Sequence, residues 1–165
     1  MKKIFFIMTN LKNSGVSSWG FIACIIFISI GVGIFVWEKN TTPRVTVGEH
    51  TFDIIVAKTE VERERGLGYR TSLPKNTGML FLFDTPRVQT FWMKGMQFPI
   101  DIIFIRDTTI VTIYKNVPFF PPDTPNSALP LYRSKEPADI VLEINAGLTD
   151  TYGIQEGDGV VVHNK

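Results

Sequence analysis

The hydrophobic and polar positions divide the chain into an apolar N-terminal stretch and a longer segment of short apolar runs. From residue 19 to residue 37 nearly every position is apolar, and no charged residue occurs between Asn13 and Trp37. A helix of this length extends about 28 Å, close to the ~30 Å hydrocarbon core of a bilayer. Trp19 and Trp37 lie at its ends, where indole rings favour the headgroup region. The pattern predicts one transmembrane helix over residues 19–37.

The charges that flank this stretch predict its orientation. Three lysines and the α-amino group precede it, whereas Lys39 and Arg44 are the basic residues within about 20 positions after it. This bias predicts a cytoplasmic N-terminus and an extracytoplasmic C-terminal domain. Small residues suited to signal-peptide cleavage do not follow Trp37, so we expect an uncleaved signal-anchor in the cell membrane. The predicted parts are a tail (1–18), the helix (19–37), a linker (38–46) and an extracytoplasmic domain (47–165).

The predicted extracytoplasmic domain alternates short apolar runs, rich in Val, Ile and Phe, with turn-forming residues. Such runs of about four to eight residues predict β-strands. The predicted strands cover residues 52–57, 79–83, 88–93, 100–106, 109–114, 139–144 and 158–163. Asp107-Thr108 predicts a tight hairpin between two of them. Because parallel strands need a long crossover, the spacing predicts a mainly β fold, either an antiparallel β-sandwich or a partly closed barrel.

Two short helices are expected between the strands. Thr59 and Glu62 have the spacing of a capping box, and Gly66 is a natural stop for the helix that follows. A second short helix is predicted at about residues 146–152. The stretch 117–137 contains six prolines and little periodicity, which predicts a long loop.

Composition excludes several classes of function. The 165 residues contain 17 Lys and Arg against 16 Asp and Glu, so no strong positive field exists to bind nucleic acid. The single cysteine, Cys24, lies in the predicted transmembrane helix and forms neither a disulfide framework nor a thiolate zinc site alone. His50 and His163 lie at opposite ends of the predicted domain. We therefore expect no metal and no cofactor.

Trp92 and Lys94 are candidate ligand-binding residues. Alternation along a strand places both on one face and Met93 on the other. An exposed indole beside a cation suits a sugar ring, a peptide or an anionic group. The alternative is that Trp92 covers the core while Lys94 extends into water.

Asp101 is the second candidate, because it interrupts an apolar strand. A carboxylate there needs a partner or takes up a proton. With Arg70 or Lys94 it could act as a general acid or base, and with Asp158 or Glu143 it could form a carboxylate pair of the hydrolase type. The structural alternatives are an ion pair, or backbone N–H donors from the turn 66–68.

Several motifs resemble one known family. They are Gly66-Leu67-Gly68-Tyr69-Arg70, Gly78 to Phe83, Phe91-Trp92-Met93-Lys94, Pro99 to Ile105 and Val141-Leu142-Glu143-Ile144. In order and spacing they resemble the family of domain of unknown function 192, over about residues 50–163. The resemblance implies a mainly β, sandwich-like domain, often exported or membrane-tethered in prokaryotes. It implies no activity, and the cysteines that many relatives carry in the long loop are absent here from 118–130.

These observations favour a membrane-anchored binding module of the cell envelope, with Arg70, Trp92, Lys94 and Asp101 as candidate site residues. Its expected partners are the bilayer, through residues 19–37, and an envelope protein or glycan, but not nucleic acid. One alternative is a cell-envelope hydrolase that uses Asp101 with Arg70 or Lys94. The other is a purely structural module.

Overall fold

A computed structural model of the protein describes residues 42–163. Its strands are β1 (Arg44–Val47), β2 (His50–Ala57), β3 (Thr77–Arg87), β4 (Thr90–Phe91), β5 (Ile100–Arg106), β6 (Thr109–Val117), β7 (Tyr132–Arg133), β8 (Ala138–Asn145) and β9 (Val160–His163). Its helices are α1 (Glu60–Arg65), α2 (Leu148–Thr151) and a 3₁₀ turn (Asn126–Ala128). The predicted tail, the transmembrane helix and residues 38–41 of the predicted linker lie outside the described residues, and β1 begins within the rest of that linker. Within 42–163, no helix has the length and apolar character needed to cross a membrane.

Seven of these strands form one curled sheet in the order β6-β5-β8-β3-β2-β1-β9. Its two edge strands meet at one end, where Thr109 forms an isolated bridge with Gly159. Three backbone hydrogen bonds hold this contact, from Ile110 N to Asp158 O at 3.0 Å, from Val160 N to Thr108 O at 2.8 Å and from Gly157 N to Ile110 O at 2.8 Å. Of the two predicted architectures, the fold is therefore the partly closed barrel, with β4 and β7 forming a separate pair.

One strand pair departs from the predicted antiparallel arrangement. β2 and β3 run parallel, with Ile54 beside Gly78 and Val56 beside Leu80. The chain between them contains α1, which begins at the predicted capping box: Thr59 Oγ1 accepts from Glu62 N, and the Glu62 carboxylate accepts from Thr59 N at 2.8 Å. A helix makes the long return that parallel pairing requires. The prediction of a wholly antiparallel fold was wrong at this crossover.

The sheet carries a hydrophobic cluster on each face. Strand alternation sends Ile103 and Ile105 to the inside of the curl, where the cluster also includes Ile110 of β6 and Val160 of β9, from the two edges. Ile102 and Phe104 point to the opposite side, which we call the outer face. Segments around residues 67–73, 91–98 and 117–132 cover the central strands there.

The predicted elements are confirmed where the prediction used residues close together in the sequence. The hairpin at Asp107 is present, with Asp107 at a φ of 58°, and α1 ends at Gly66. The predicted strand 88–93 is reduced to β4, and the expected loop 117–137 contains the 3₁₀ turn and β7. β1 was not predicted, because it is only four residues long and depends on pairing with both β2 and β9.

Candidate functional site

Asp101 points to the inside of the sheet and is fully buried. Its Oδ1 accepts hydrogen bonds from Asn116 N at 2.7 Å and Gly147 N at 3.1 Å. Its Oδ2 accepts from Thr149 N at 2.9 Å and Thr149 Oγ1 at 2.7 Å. The carboxylate thus joins β6 to the first turn of α2.

These contacts correct the predicted surroundings of Asp101. No ion pair among residues 42–163 includes it, and Arg70 and Lys94 line cavities on the outer face instead. Its backbone donors come from the α2 and β6 region, not from the turn 66–68. A pair with Glu143 is excluded, because the two side chains leave the sheet on opposite faces. Asp101 has the geometry of a structural carboxylate.

Trp92 and Lys94 lie together, as predicted. Lys94 Nζ is 5.1 Å from the centroid of the Trp92 ring, Trp92 is 39% exposed, and Met93 between them is buried. They do not share a strand, because β4 ends at Phe91 and the chain turns at Gly95. The indole and the ammonium group form one exposed corner of the outer face.

The turn 66–70 holds this corner in place by close backbone contact. Tyr69 N donates to Gly95 O at 2.8 Å. A Cβ atom on Gly68 would lie 2.9 Å from Arg65 O, closer than real Cβ contacts come, and 3.1 Å from Lys94 O, which is a tight contact. Glycine at position 68 therefore lets the turn reach the backbone of Lys94.

Glu143 is the functional candidate that sequence reasoning undervalued. It lies in β8 between Met79 of β3 and Ile102 of β5, and points to the outer face. It is 5% exposed, and its Oε2 atom has no hydrogen-bond partner. Burial raises the pKa of the Glu143 carboxyl to about 8. The signal in the sequence was an acidic residue inside an apolar strand, the same signal that drew attention to Asp101.

A small cavity of about 30 Å³ borders Glu143 on the outer face, and we call it the Glu143 slot. Leu67, Phe81, Phe91 and Met96 form the apolar part of its walls, and the turn 66–68 closes one side. Trp92 and Lys94 border the same slot, together with charged residues of α1. The structure thus brings two of the predicted site residues to a buried carboxyl group, although not to the predicted one.

Arg70 lies beside the slot but does not border it. It is exposed and lines a wider groove of about 460 Å³ with Tyr69 and Glu62. The histidines have local partners: His50 stacks on Tyr152 at 3.9 Å between ring centroids, and His163 Nε2 lies 3.0 Å from Thr46 Oγ1. No three His, Cys, Asp or Glu side chains within 42–163 are grouped closely enough to hold a metal ion.

Residues 43–162 match the family of domain of unknown function 192 (DUF192), described as uncharacterized ACR. The chain belongs to the DUF192 family. The match covers every element of the sheet and of the Glu143 slot, and it confirms the resemblance seen in the motifs. No curated protein matches the chain.

Two solved structures resemble the DUF192 domain of this protein. A protein of unknown function from Novosphingobium aromaticivorans is 37% identical, with a TM-score of 0.63 over 72% of this chain and 83% of that one. A protein from Sinorhizobium meliloti, described as a proposed transcription regulator, is 34% identical, with a TM-score of 0.62 over 73% of this chain and 91% of that one. Both are similar in fold and sequence.

Proposed function

We propose that this DUF192 protein is a membrane-anchored binding module of the cell envelope, and that its extracytoplasmic domain holds a ligand at the Glu143 slot. The anchor rests on the apolar stretch 19–37, and the orientation rests on the lysines that precede it. The site rests on Glu143, Trp92 and Lys94. The ligand is an envelope glycan or the exposed part of an envelope protein.

The observation that carries the proposed site is the buried Oε2 atom of Glu143, which has no hydrogen-bond partner. Buried polar groups are nearly always hydrogen-bonded, and leaving one without a partner costs about 1–3 kcal/mol. A hydrophobic residue of similar volume at this position avoids that cost. A ligand that enters the slot supplies the missing partner, which gives the polar residue a function.

The corner formed by Trp92 and Lys94 supplies the rest of the binding surface. Trp92 is exposed enough to stack on a flat or ring-shaped group. Lys94 borders both the slot and a second cavity of about 150 Å³ beside the proline-rich loop. One lysine thus reaches a ligand on either side of the turn at Gly95.

The hydrolase alternative built on Asp101 loses its main residue. Both Asp101 oxygens accept short hydrogen bonds, and the side chain has no access to solvent. A general acid or base must come within hydrogen-bond reach of the substrate. The structural alternative remains as an outcome of the test below.

The test replaces Glu143 with methionine in the full-length chain in detergent micelles. We expect E143M to raise the melting temperature, because an unpartnered polar group is removed. We also expect E143M to remove the chemical-shift changes that glucuronate, glucose, glucosamine or N-acetylglycine causes at the amides of Gly68, Lys94 and Gly95. L142M, on the other face of the same strand, is the matched control. A lower melting temperature for E143M with no probe binding to the unmodified chain favours the structural module.

The proposed placement has its own test, since it rests on residues outside the described part of the chain. Protease added to intact cells is expected to digest the domain 47–165. Digestion only after lysis would place the domain on the cytoplasmic side and overturn the envelope location.

A further inference from the structure

We propose that the ligand carries a carboxylate group, which enters the Glu143 slot and accepts a hydrogen bond from the protonated Glu143 carboxyl beside the Lys94 ammonium group. This inference rests on the proposed binding function and names the chemical class of the ligand. Three observations support it: the size of the slot, the charges at its border and the state of Glu143.

The slot is small. Its volume of about 30 Å³ is two to three times the roughly 10–15 Å³ that one water molecule needs. A terminal group of a few atoms can therefore reach Glu143, whereas a ring must stay outside, next to Trp92. A carboxylate, a hydroxyl and an ammonium group all satisfy this limit, so size alone does not select among them.

The charges around the slot select against a cation. Arg63 and Arg65 from α1 and Lys94 from the turn border it, against a single acidic neighbour, Glu64. Arg63 pairs with Glu60 at 2.8 Å, but neither Arg65 nor Lys94 has an ion-pair partner within residues 42–163. The strands β3 and β5 that flank Glu143 contribute Met79 and Ile102, which carry no charge. An anionic group is therefore attracted to the mouth, and an ammonium group is repelled.

The protonation state of Glu143 favours a ligand group that accepts a hydrogen bond. Because burial raises the pKa of this carboxyl to about 8, it is protonated at neutral pH and donates through its O–H. A hydrogen bond from a neutral acid to a carboxylate is charge-assisted and stronger than one to a neutral hydroxyl. An ammonium group, in contrast, requires Glu143 to ionise at a position where burial disfavours the charged form.

The experiment compares probes that share one sugar ring and differ in one group. Glucuronate, glucose and glucosamine are titrated into the full-length chain at pH 6.5. NMR follows the amides of Gly68 and Lys94, which border the slot, and of Gly95, which follows Lys94 in the chain. We expect glucuronate to bind at least about tenfold more tightly than the other two. N-acetylglycine carries the carboxylate without the ring, so it distinguishes a peptide source from a sugar source.

Two variants and the pH profile test the role of each group. Glucuronate affinity is expected to fall as pH rises from 6.5 to 9, because Glu143 then loses the proton that it donates. E143Q keeps an N–H donor and does not titrate, so we expect about a threefold weaker affinity at pH 6.5 and no fall with pH. K94A is expected to lose about tenfold in affinity, whereas K75A, which does not border the slot, changes nothing.

The outcomes separate this inference from the proposed function. Glucosamine binding that exceeds glucuronate binding at pH 6.5 and disappears in E143Q would show an ammonium site, and equal binding of glucose and glucuronate would show a hydroxyl site. In both cases the binding function stands and the carboxylate inference is overturned. If none of the four probes shifts the slot amides, both the inference and the proposed function fail.

Discussion

Asp101 and Glu143 are two carboxyl groups buried on neighbouring strands of one sheet, yet their surroundings are opposite. Asp101 pairs across β5 and β8 with Ile144, and Glu143 pairs with Ile102 one position along. Inside the curl, Asp101 accepts four hydrogen bonds from β6 and α2. On the outer face, Glu143 has an oxygen with no partner, and burial raises its pKa to about 8.

Burial of a carboxyl group therefore does not by itself identify a functional site. A carboxylate that accepts hydrogen bonds from several N–H and O–H groups has no remaining capacity for a ligand. Such a carboxylate stabilises the fold. A buried carboxyl oxygen without a hydrogen-bond partner destabilises the folded state, because nothing replaces the hydrogen bonds to water that it loses. The second kind of residue is the one to test for function.

Removing the Asp101 carboxylate is expected to have the largest effect. D101A leaves four donors without their acceptor, and hydrogen bonds to a charged group are worth about 1.5–3 kcal/mol each, without full additivity. We expect a loss of about 4 kcal/mol in the free energy of unfolding, measured by urea denaturation. Asp53, which pairs with Arg44 at the surface at 3.4 Å, gives a matched control, D53A, with a change below about 0.5 kcal/mol.

T149V is a milder variant that tests the role of Asp101 if D101A does not fold. T149V removes the hydroxyl donor at 2.7 Å and keeps the backbone donor, with an expected loss of about 1 kcal/mol. Stabilities of D101A and T149V equal to that of the unmodified chain would contradict the structural role of Asp101.

The pH dependence of stability is expected to reveal Glu143. Below about pH 4.5, the ordinary value for Glu, the carboxyl is protonated in both the folded and the unfolded state. Between about 4.5 and 8 only the unfolded chain releases the proton, so folding stability falls as pH rises, by about 1.4 kcal/mol per pH unit. E143M lacks this loss, and its stability relative to the unmodified chain should grow by about 3 kcal/mol from pH 5 to pH 7.

The comparison with E143M isolates Glu143 from other acidic groups. Hydrogen bonds lower the pKa of Glu62 and Glu156, which gives stability that is present above their unfolded pKa and lost on acidification. The unmodified chain and E143M both contain Glu62 and Glu156, so the contributions of these two residues cancel in the difference between the two stabilities. Unfolding curves for the two chains that stay parallel from pH 5 to pH 7 would refute the raised pKa of Glu143.

A smaller effect than that of D101A is expected in the turn that closes the slot. G68A places a Cβ atom against Arg65 O and Lys94 O, and such overpacking costs about 1–3 kcal/mol. G159A meets nothing within 4 Å and is the matched control. Calorimetry should show a lower melting temperature for G68A alone. If the two variants melt together, the turn does not depend on close backbone contact.

Local signals predicted the elements that local interactions build. β5 has the predicted bounds, the capping box at Thr59 begins α1, and the hairpin turns at Asp107. The pairing of Trp92 with Lys94 also followed from short spacing along the chain. β7, the parallel pairing of β2 with β3 and the pairing of β1 with β9 did not follow, because they depend on contacts between residues far apart in the sequence.

The residue pattern alone predicts a mainly β domain of the DUF192 family, with acidic residues in two apolar strands. Which of the two carboxyl groups has hydrogen-bond partners depends on the folded arrangement. The sheet curls, so that α2 brings its N–H donors to Asp101, whereas the segments that cover the outer face bring no hydrogen-bond partner to Glu143 Oε2. The hydrogen-bond partners of a buried group come from distant parts of the chain, so the alternation of residues along one strand does not predict them.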